Sequence, residues 1–109
     1  MMDFYQGDII RIAGLNSTFM IVSKNAFIRA AEVFHVCPVL ENYPQGPIHI
    51  AVEGKNKTKG CVICEQIKLI DPAVRTCRRT DRVSYDMIMN VSDVLQGLFI
   101  GRTLHFCSG

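Results

Sequence analysis

Two thiols, a carboxylate and a carboxamide fall close together in GCVICEQIKLIDP, the stretch from Gly60 to Pro72. Three kinds of chemistry would suit such a set. Cys61 and Cys64 could hold a metal ion or cycle as a redox pair, and Glu65 could carry a proton. On a strand, however, side chains three apart point to opposite faces, which predicts that the two thiols diverge. His35, Cys37 and His49 do not supply a second tightly spaced pair of ligands. No βαβ pattern surrounds the cysteines to support a thioredoxin-like exchange. The expectation is therefore no metal, no cofactor and no internal disulfide between Cys61 and Cys64.

Glu65 is different, because a carboxylate inside an apolar strand costs free energy unless it is paired or wet. Its alternation with Cys61, Ile63, Ile67 and Leu69 leaves two possibilities: a side chain facing water, or one placed in a cleft for a reason. His49 carries an imidazole suited to proton transfer near neutral pH. It also alternates with apolar residues in IHIAV, which favours a structural role.

These residues need elements to hold them. GDIIRIAG and STFMIVSKN are short apolar runs rich in β-branched residues, joined by a link that suits a turn. A third strand is expected from Val33 to Val39, before Pro44, Gly46 and Pro47 forbid regular structure. IHIAV and CVICEQIKLI then flank EGKNKTKG, a hairpin loop. That makes five strands and no long helix before residue 80. From Ser84 onward the apolar period lengthens, with Met87, Ile88, Val91, Val94, Leu95, Leu98 and Phe99 on one helical face. Ser84 suits the N-cap, Asp86 the first turn and Gly101 the stop, leaving RTLHFCSG as a short strand or loose tail. The expected fold is mainly β (α+β): a small curled antiparallel sheet or β-barrel with a C-terminal α-helix.

A chain of 109 residues has room for one domain, taken as residues 1–109, around one modest core. With 49% hydrophobic and 20% charged residues and a net charge of +2, it is neither disordered nor basic enough to bind nucleic acid through bulk charge. No apolar run reaches the roughly 18 residues of a membrane span, and MMDFYQGDII lacks the basic start and apolar stretch of a signal peptide. Five cysteines, an odd number without regular spacing, fit reduced thiols. A cytoplasmic protein with no membrane contact is expected.

Positive charge gathers at Lys55, Lys57 and Lys59 in the hairpin loop and again at Arg75, Arg78, Arg79 and Arg82. Solvated surface is the plain reading of both clusters. The alternative is a path for single-stranded RNA, with Arg11, Lys55, Lys57, Lys59, Arg78 and Arg79 as candidate contacts. Tyr5 and Tyr43 could stack on bases, although packing explains them as well.

In order along the chain, YQGDIIRI (Tyr5 to Ile12), IVSKNAF (Ile21 to Phe27), VCPV (Val36 to Val39), PIHIAVEG (Pro47 to Gly54) and GCVICEQIKLID (Gly60 to Asp71) resemble the MazF/PemK toxins. These are the stable halves of bacterial toxin–antitoxin pairs. The resemblance spans about residues 5 to 99 and is most specific in the Gln-Gly-Asp opening and the EQIKLID close. It implies the fold of the plasmid-maintenance toxins, usually a homodimer, with a cognate antitoxin peptide as partner. For active members it also implies cleavage of single-stranded RNA (mRNA) without a metal ion or cofactor. Such cleavage needs a base for the ribose 2′-hydroxyl, an acid for the leaving 5′-oxygen, and a cation or donors for the charged phosphorane.

Three positions bear on that chemistry. The relatives typically carry Arg-Pro before the second strand, where this chain has Ser17 and Thr18, and a threonine or serine after the third, where it has Leu40 and Glu41. Glu65 matches an acidic position used by some members, while Ile63 stands where some are basic. The resemblance thus implies Glu65, and after it His49, as the candidate acid–base residues. Arg11, Arg29 or the arginines from Arg75 to Arg82 would have to replace the missing phosphate-binding arginine. Three readings follow: an RNA-cleaving enzyme with a rearranged site, a catalytically silent relative that binds RNA or an antitoxin, or a toxin with a protein target.

Overall fold

The computed structural model describes residues 3–98. The elements run β1 (Asp8–Ile12), β2 (Thr18–Ile21), α1 (Asn25–Ala31), β3 (Phe34–Leu40), β4 (His49–Glu53), β5 (Lys59–Ile63), β6 (Lys68–Ile70), β7 (Cys77–Arg82) and α2 (Tyr85–Gln96). Every strand pair is antiparallel. The spatial order is β4-β5-β3-β2-β1-β7, with β6 also on β3. β5 pairs with Val39 and Leu40 while β6 pairs with Phe34 to Val36, so β5 and β6 lie end to end along one edge of β3.

The sheet curls until its two outer strands touch. Gly54, just past β4, bridges Val83, just past β7, and the Lys55 N–H donates to the Arg82 carbonyl at 2.9 Å. One bridge joins the edges, so the curled sheet stays unclosed.

Both faces of the middle strands are covered, which explains why DIIRI reads as a continuous apolar run rather than an alternating one. Ile9, Met20, Val22, Val39 and Val62 face α2. Ile10, Ile12, Phe19, Ile21, Phe34 and Val36 pack on the other side with Ile28 of α1. The Ser84 hydroxyl caps α2 by accepting from the Met87 N–H at 3.4 Å, and Asp86 sits in the first turn. Met87, Ile88, Val91, Val94 and Leu95 then press onto the sheet. Burying one such side chain contributes about 1.5–3 kcal/mol. Gly7 lies beneath Ile88 with φ +93°, where an added Cβ would run into that side chain.

Several expectations are corrected. Among the described residues seven strands form instead of five, because CVICEQIKLI breaks at residues 64–67 and CRRTDR adds β7 along β1. The break is a turn closed by the Gln66 N–H donating to the Ile63 carbonyl at 3.1 Å. Helix α1 is an addition: Lys24 precedes it without a side-chain cap, and Glu32, left-handed at φ 57°, ends it. Helix α2 finishes at Gln96 with Gly97 as its C-cap. Phe99, the expected stop at Gly101 and the segment RTLHFCSG lie outside the described residues.

Candidate functional site

The turn after β5 brings Glu65 to His49 at the start of β4. His49 pairs in register with Ile63, and the Cys64 N–H donates to the Ile48 carbonyl at 3.1 Å, so the turn is held beside the first residue of β4. Reciprocal 3.2 Å hydrogen bonds between Gly46 and His49 fix the incoming chain. The Tyr43 ring meets the imidazole edge to face, with centroids 4.9 Å apart. Beneath it, the Cys61 thiol donates to the Tyr43 carbonyl at 3.2 Å. His49 Nε2 and Glu65 Oε2 are 3.0 Å apart, with the side chains 21% and 42% exposed. The His49 hydrogen bond first, then a backbone hydrogen bond, lowers the Glu65 pKa below its ordinary value. An ionised carboxylate can only accept, so His49 Nε2 donates.

This arrangement resolves the two possibilities for Glu65: it lies in a turn, facing water, and is paired. Two groups able to take and give protons stand together within reach of solvent. Among the described residues no lysine or arginine forms an ion pair with Glu65. The Thr18–Val39 pairing places Ser17 and Leu40 at neighbouring ends of β2 and β3, so the two unmatched positions fall side by side.

The candidate basic residues do not form one path. Arg11 and Arg78 are direct cross-strand partners on β1 and β7, both exposed. Lys55, Lys57 and Lys59 lie in or beside the β4–β5 loop, with Lys57 left-handed at φ 75°. Lys55 and Arg79 line a groove of about 540 Å³ that they share with Tyr5, Asn56, Thr80, Asp81 and Arg82. His49 starts β4 and this groove begins past its end, about 13 Å along the strand.

Two buried carboxylates that sequence reading missed build the groove. Asp8 is fully buried and accepts from the Tyr5 N–H at 2.9 Å, from Arg82 Nε at 2.9 Å and from Arg79 Nη1 at 3.3 Å. Asp81 accepts from the N–H groups of Asn56 at 2.7 Å, Thr58 at 2.9 Å and Arg82 at 2.7 Å. Burial pushes the Asp81 carboxyl up, but these hydrogen bonds outweigh it and hold the pKa down to about 2. Gly54 lies against this carboxylate with no room for a Cβ. The sequence signals were weak as to burial: Asp8 leads an apolar run and closes the Gln-Gly-Asp opening, and Asp81 stands between Thr80 and Arg82.

The cysteines diverge. Cys61 lies under the Tyr43 loop, while Cys64 joins Cys37 in the core facing α2. Burial pushes the Cys37 thiol up to about 12 and the Cys64 thiol up to about 11. Among the described residues, no three His, Cys, Asp or Glu side chains gather as metal ligands.

A family model of PemK-like, MazF-like toxins of type II toxin-antitoxin systems matches residues 6–99. No curated protein matches the chain in sequence. Solved structures share the fold at low identity. The MazE-MazF complex from Deinococcus radiodurans (Form-I) superposes with a TM-score of 0.77 at 15% identity, covering 90% of this chain and 97% of that one. An endoribonuclease from Mycobacterial species gives 0.75 at 18% identity, covering 88% and 90%. An endoribonuclease in complex with its cognate antitoxin, also from Mycobacterial species, gives 0.70 at 16%, covering 85% and 91%. With its curled sheet, C-terminal helix and a family match over nearly its whole length, the chain belongs to the PemK-like, MazF-like toxins of type II toxin-antitoxin systems.

Proposed function

We propose that this toxin binds single-stranded RNA and cuts it slowly, without a metal ion, through Glu65 and His49. The observation that carries this reading is the 3.0 Å His49–Glu65 pair, reachable from solvent and, among the described residues, without a lysine or arginine paired to it. One of the two groups takes the 2′-hydroxyl proton and the other returns a proton to the leaving 5′-oxygen. Negative charge then builds on the phosphorane without a preorganised donor, and losing one such donor costs about 10²–10³ in rate. Ser17 and Leu40, side by side where the relatives carry an arginine and a hydroxyl, favour a second reading in which cutting is absent and binding remains. Arg11, Lys55, Lys57, Lys59, Arg78 and Arg79 are the basic residues proposed for the RNA, led by Lys55 and Arg79 because they share a groove.

The protein works in the cytoplasm as a homodimer held in check by a cognate antitoxin peptide. The antitoxin follows from the family and from the solved complexes it resembles. The dimer would cover apolar side chains such as Leu69, Val74 and Tyr85, which are 60%, 79% and 72% exposed. Among the described residues no helix is long and apolar enough to cross a membrane.

Filter retention of mixed-sequence single-stranded RNA over a salt series tests the binding. Retention that weakens with salt supports it, and no retention at low salt contradicts it. Light scattering should give about twice the 12.2 kDa chain mass; a monomer mass at micromolar concentration overturns the dimer.

A further inference from the structure

We infer that the groove between Tyr5 and the Lys55 loop is a subsite for one nucleotide of single-stranded RNA, with its base stacked on Tyr5 and its phosphate held by Arg82, Arg79 and Lys55. The inference rests on the RNA-binding reading above and gives it a place, away from the His49–Glu65 pair.

The argument begins with Asp8. One buried carboxylate accepts from the Tyr5 N–H, from Arg82 Nε and from Arg79 Nη1, so it fixes the backbone under the aromatic ring and both guanidinium groups together. Arg79 Nη1 also donates to the Asp3 carbonyl at 3.1 Å. A guanidinium has five N–H donors, and these partners take only some of them. Both arginines remain open to solvent, with side chains 40% and 44% exposed. The Arg82 guanidinium carbon lies 5.5 Å from the Tyr5 ring centroid, and Tyr5 is itself 41% exposed. An exposed aromatic ring, with the Arg82 guanidinium over one of its faces, and fixed cations are thus presented together.

Charge and size narrow the ligand. Lys55, Arg79 and Arg82 against Asp8 and Asp81 leave the groove net positive, and the Asp81 oxygens already accept from backbone N–H groups. A volume of about 540 Å³ is more than a lone phosphate fills and lies in the range of small-molecule sites. A π-face next to an anion is the chemistry of a nucleotide, and stacking platforms beside cations are how single strands are held without sequence preference. With β4 spanning about 13 Å, a strand seated here would reach the His49–Glu65 pair about four stacked nucleotides away. The groove therefore acts as an anchor rather than as a place of reaction.

The test uses the full chain and a short 2′-O-methylated RNA, which cannot be cut, carrying 2-aminopurine as a fluorescent base that dims when stacked. Binding should dim the probe. Tyr5→Leu should weaken binding by about 5- to 100-fold and abolish the dimming, whereas Tyr5→Phe should stay within about twofold on both. Lys55→Ala should weaken binding modestly and reduce the salt slope by about one phosphate. If the wild type binds and Tyr5→Leu binds equally well with the same dimming, the subsite is refuted while the RNA-binding reading stands. If the wild type does not bind the RNA at low salt, both fall.

Discussion

Asp81 and Glu65 are both acidic residues close to the ends of strands, and they have opposite uses. Asp81 is 3% exposed and takes three backbone N–H groups, two of them from the loop that touches the far edge of the sheet. Glu65 has one side-chain partner, His49, and lies in a turn open to water. Charge at the first position is consumed in holding the curl together. Charge at the second stays available to a ligand. A carboxylate's environment, not its type, separates a structural group from a chemical one.

Removing the two carboxylates should therefore give very different losses. Asp81→Ala leaves three N–H groups without their acceptor and should lower stability by about 3–5 kcal/mol, read as a fall in the urea midpoint. Glu65→Gln, at an exposed pair, should leave the urea midpoint essentially unchanged. Equal losses would erase the distinction. Gly54→Ala tests the same clasp from the other side, since its Cβ would displace the Asp81 carboxylate. A loss of about 2–3 kcal/mol is expected, and a neutral result would show that the loop yields freely.

Acid should reach the clasp before the core. The folded pKa of Asp81, about 2, lies below the ordinary 3.8, so its contribution is fully present above pH 3.8 and is lost as pH falls toward 2. The difference amounts to about 2 kcal/mol. Stability measured between pH 5 and pH 2 should fall by that much more in the wild type than in Asp81→Asn, and parallel curves would contradict the assignment.

The smallest effect concerns the thiols. Burial raises the Cys37 and Cys64 pKa values to about 12 and 11, so an alkylating reagent at pH 8 should leave both unmodified until the protein is unfolded. Mass spectrometry of the native protein finding either one labelled quickly would show that this core opens.

What was legible in the sequence follows the same division. The apolar runs of β1, β2 and β3 announce themselves because both faces are buried, and α2 is announced by Ser84 and a clean helical period. β7 was hidden because five of the six residues of CRRTDR are at least partly exposed, only Asp81 being buried, and its pairing with β1 is long-range. The turn at Glu65 was hidden because no glycine, proline or asparagine marks it, and Ile63 and Ile67 made the run look continuous. Glu65 and His49 could be picked out by type, but sixteen residues of separation concealed their contact until β4 paired with β5. Most of the partners that give Asp8 and Asp81 their buried roles, Arg79 and Arg82 for the first and Asn56 and Thr58 for the second, are more than twenty residues distant, which local patterns do not carry.

The central claim is that binding and proton transfer sit in separate places, with the second left short of a cation. It is tested most directly by incubating a long, mixed-sequence RNA without divalent metal, measuring retention and cutting in the same samples for the wild type and Glu65→Gln. The account predicts equal retention by both proteins, cutting by the wild type at least about 10² slower than by a family member that carries the arginine, and no cutting by Glu65→Gln. Fast, site-specific cutting by the wild type, or cutting that survives Glu65→Gln, would contradict it.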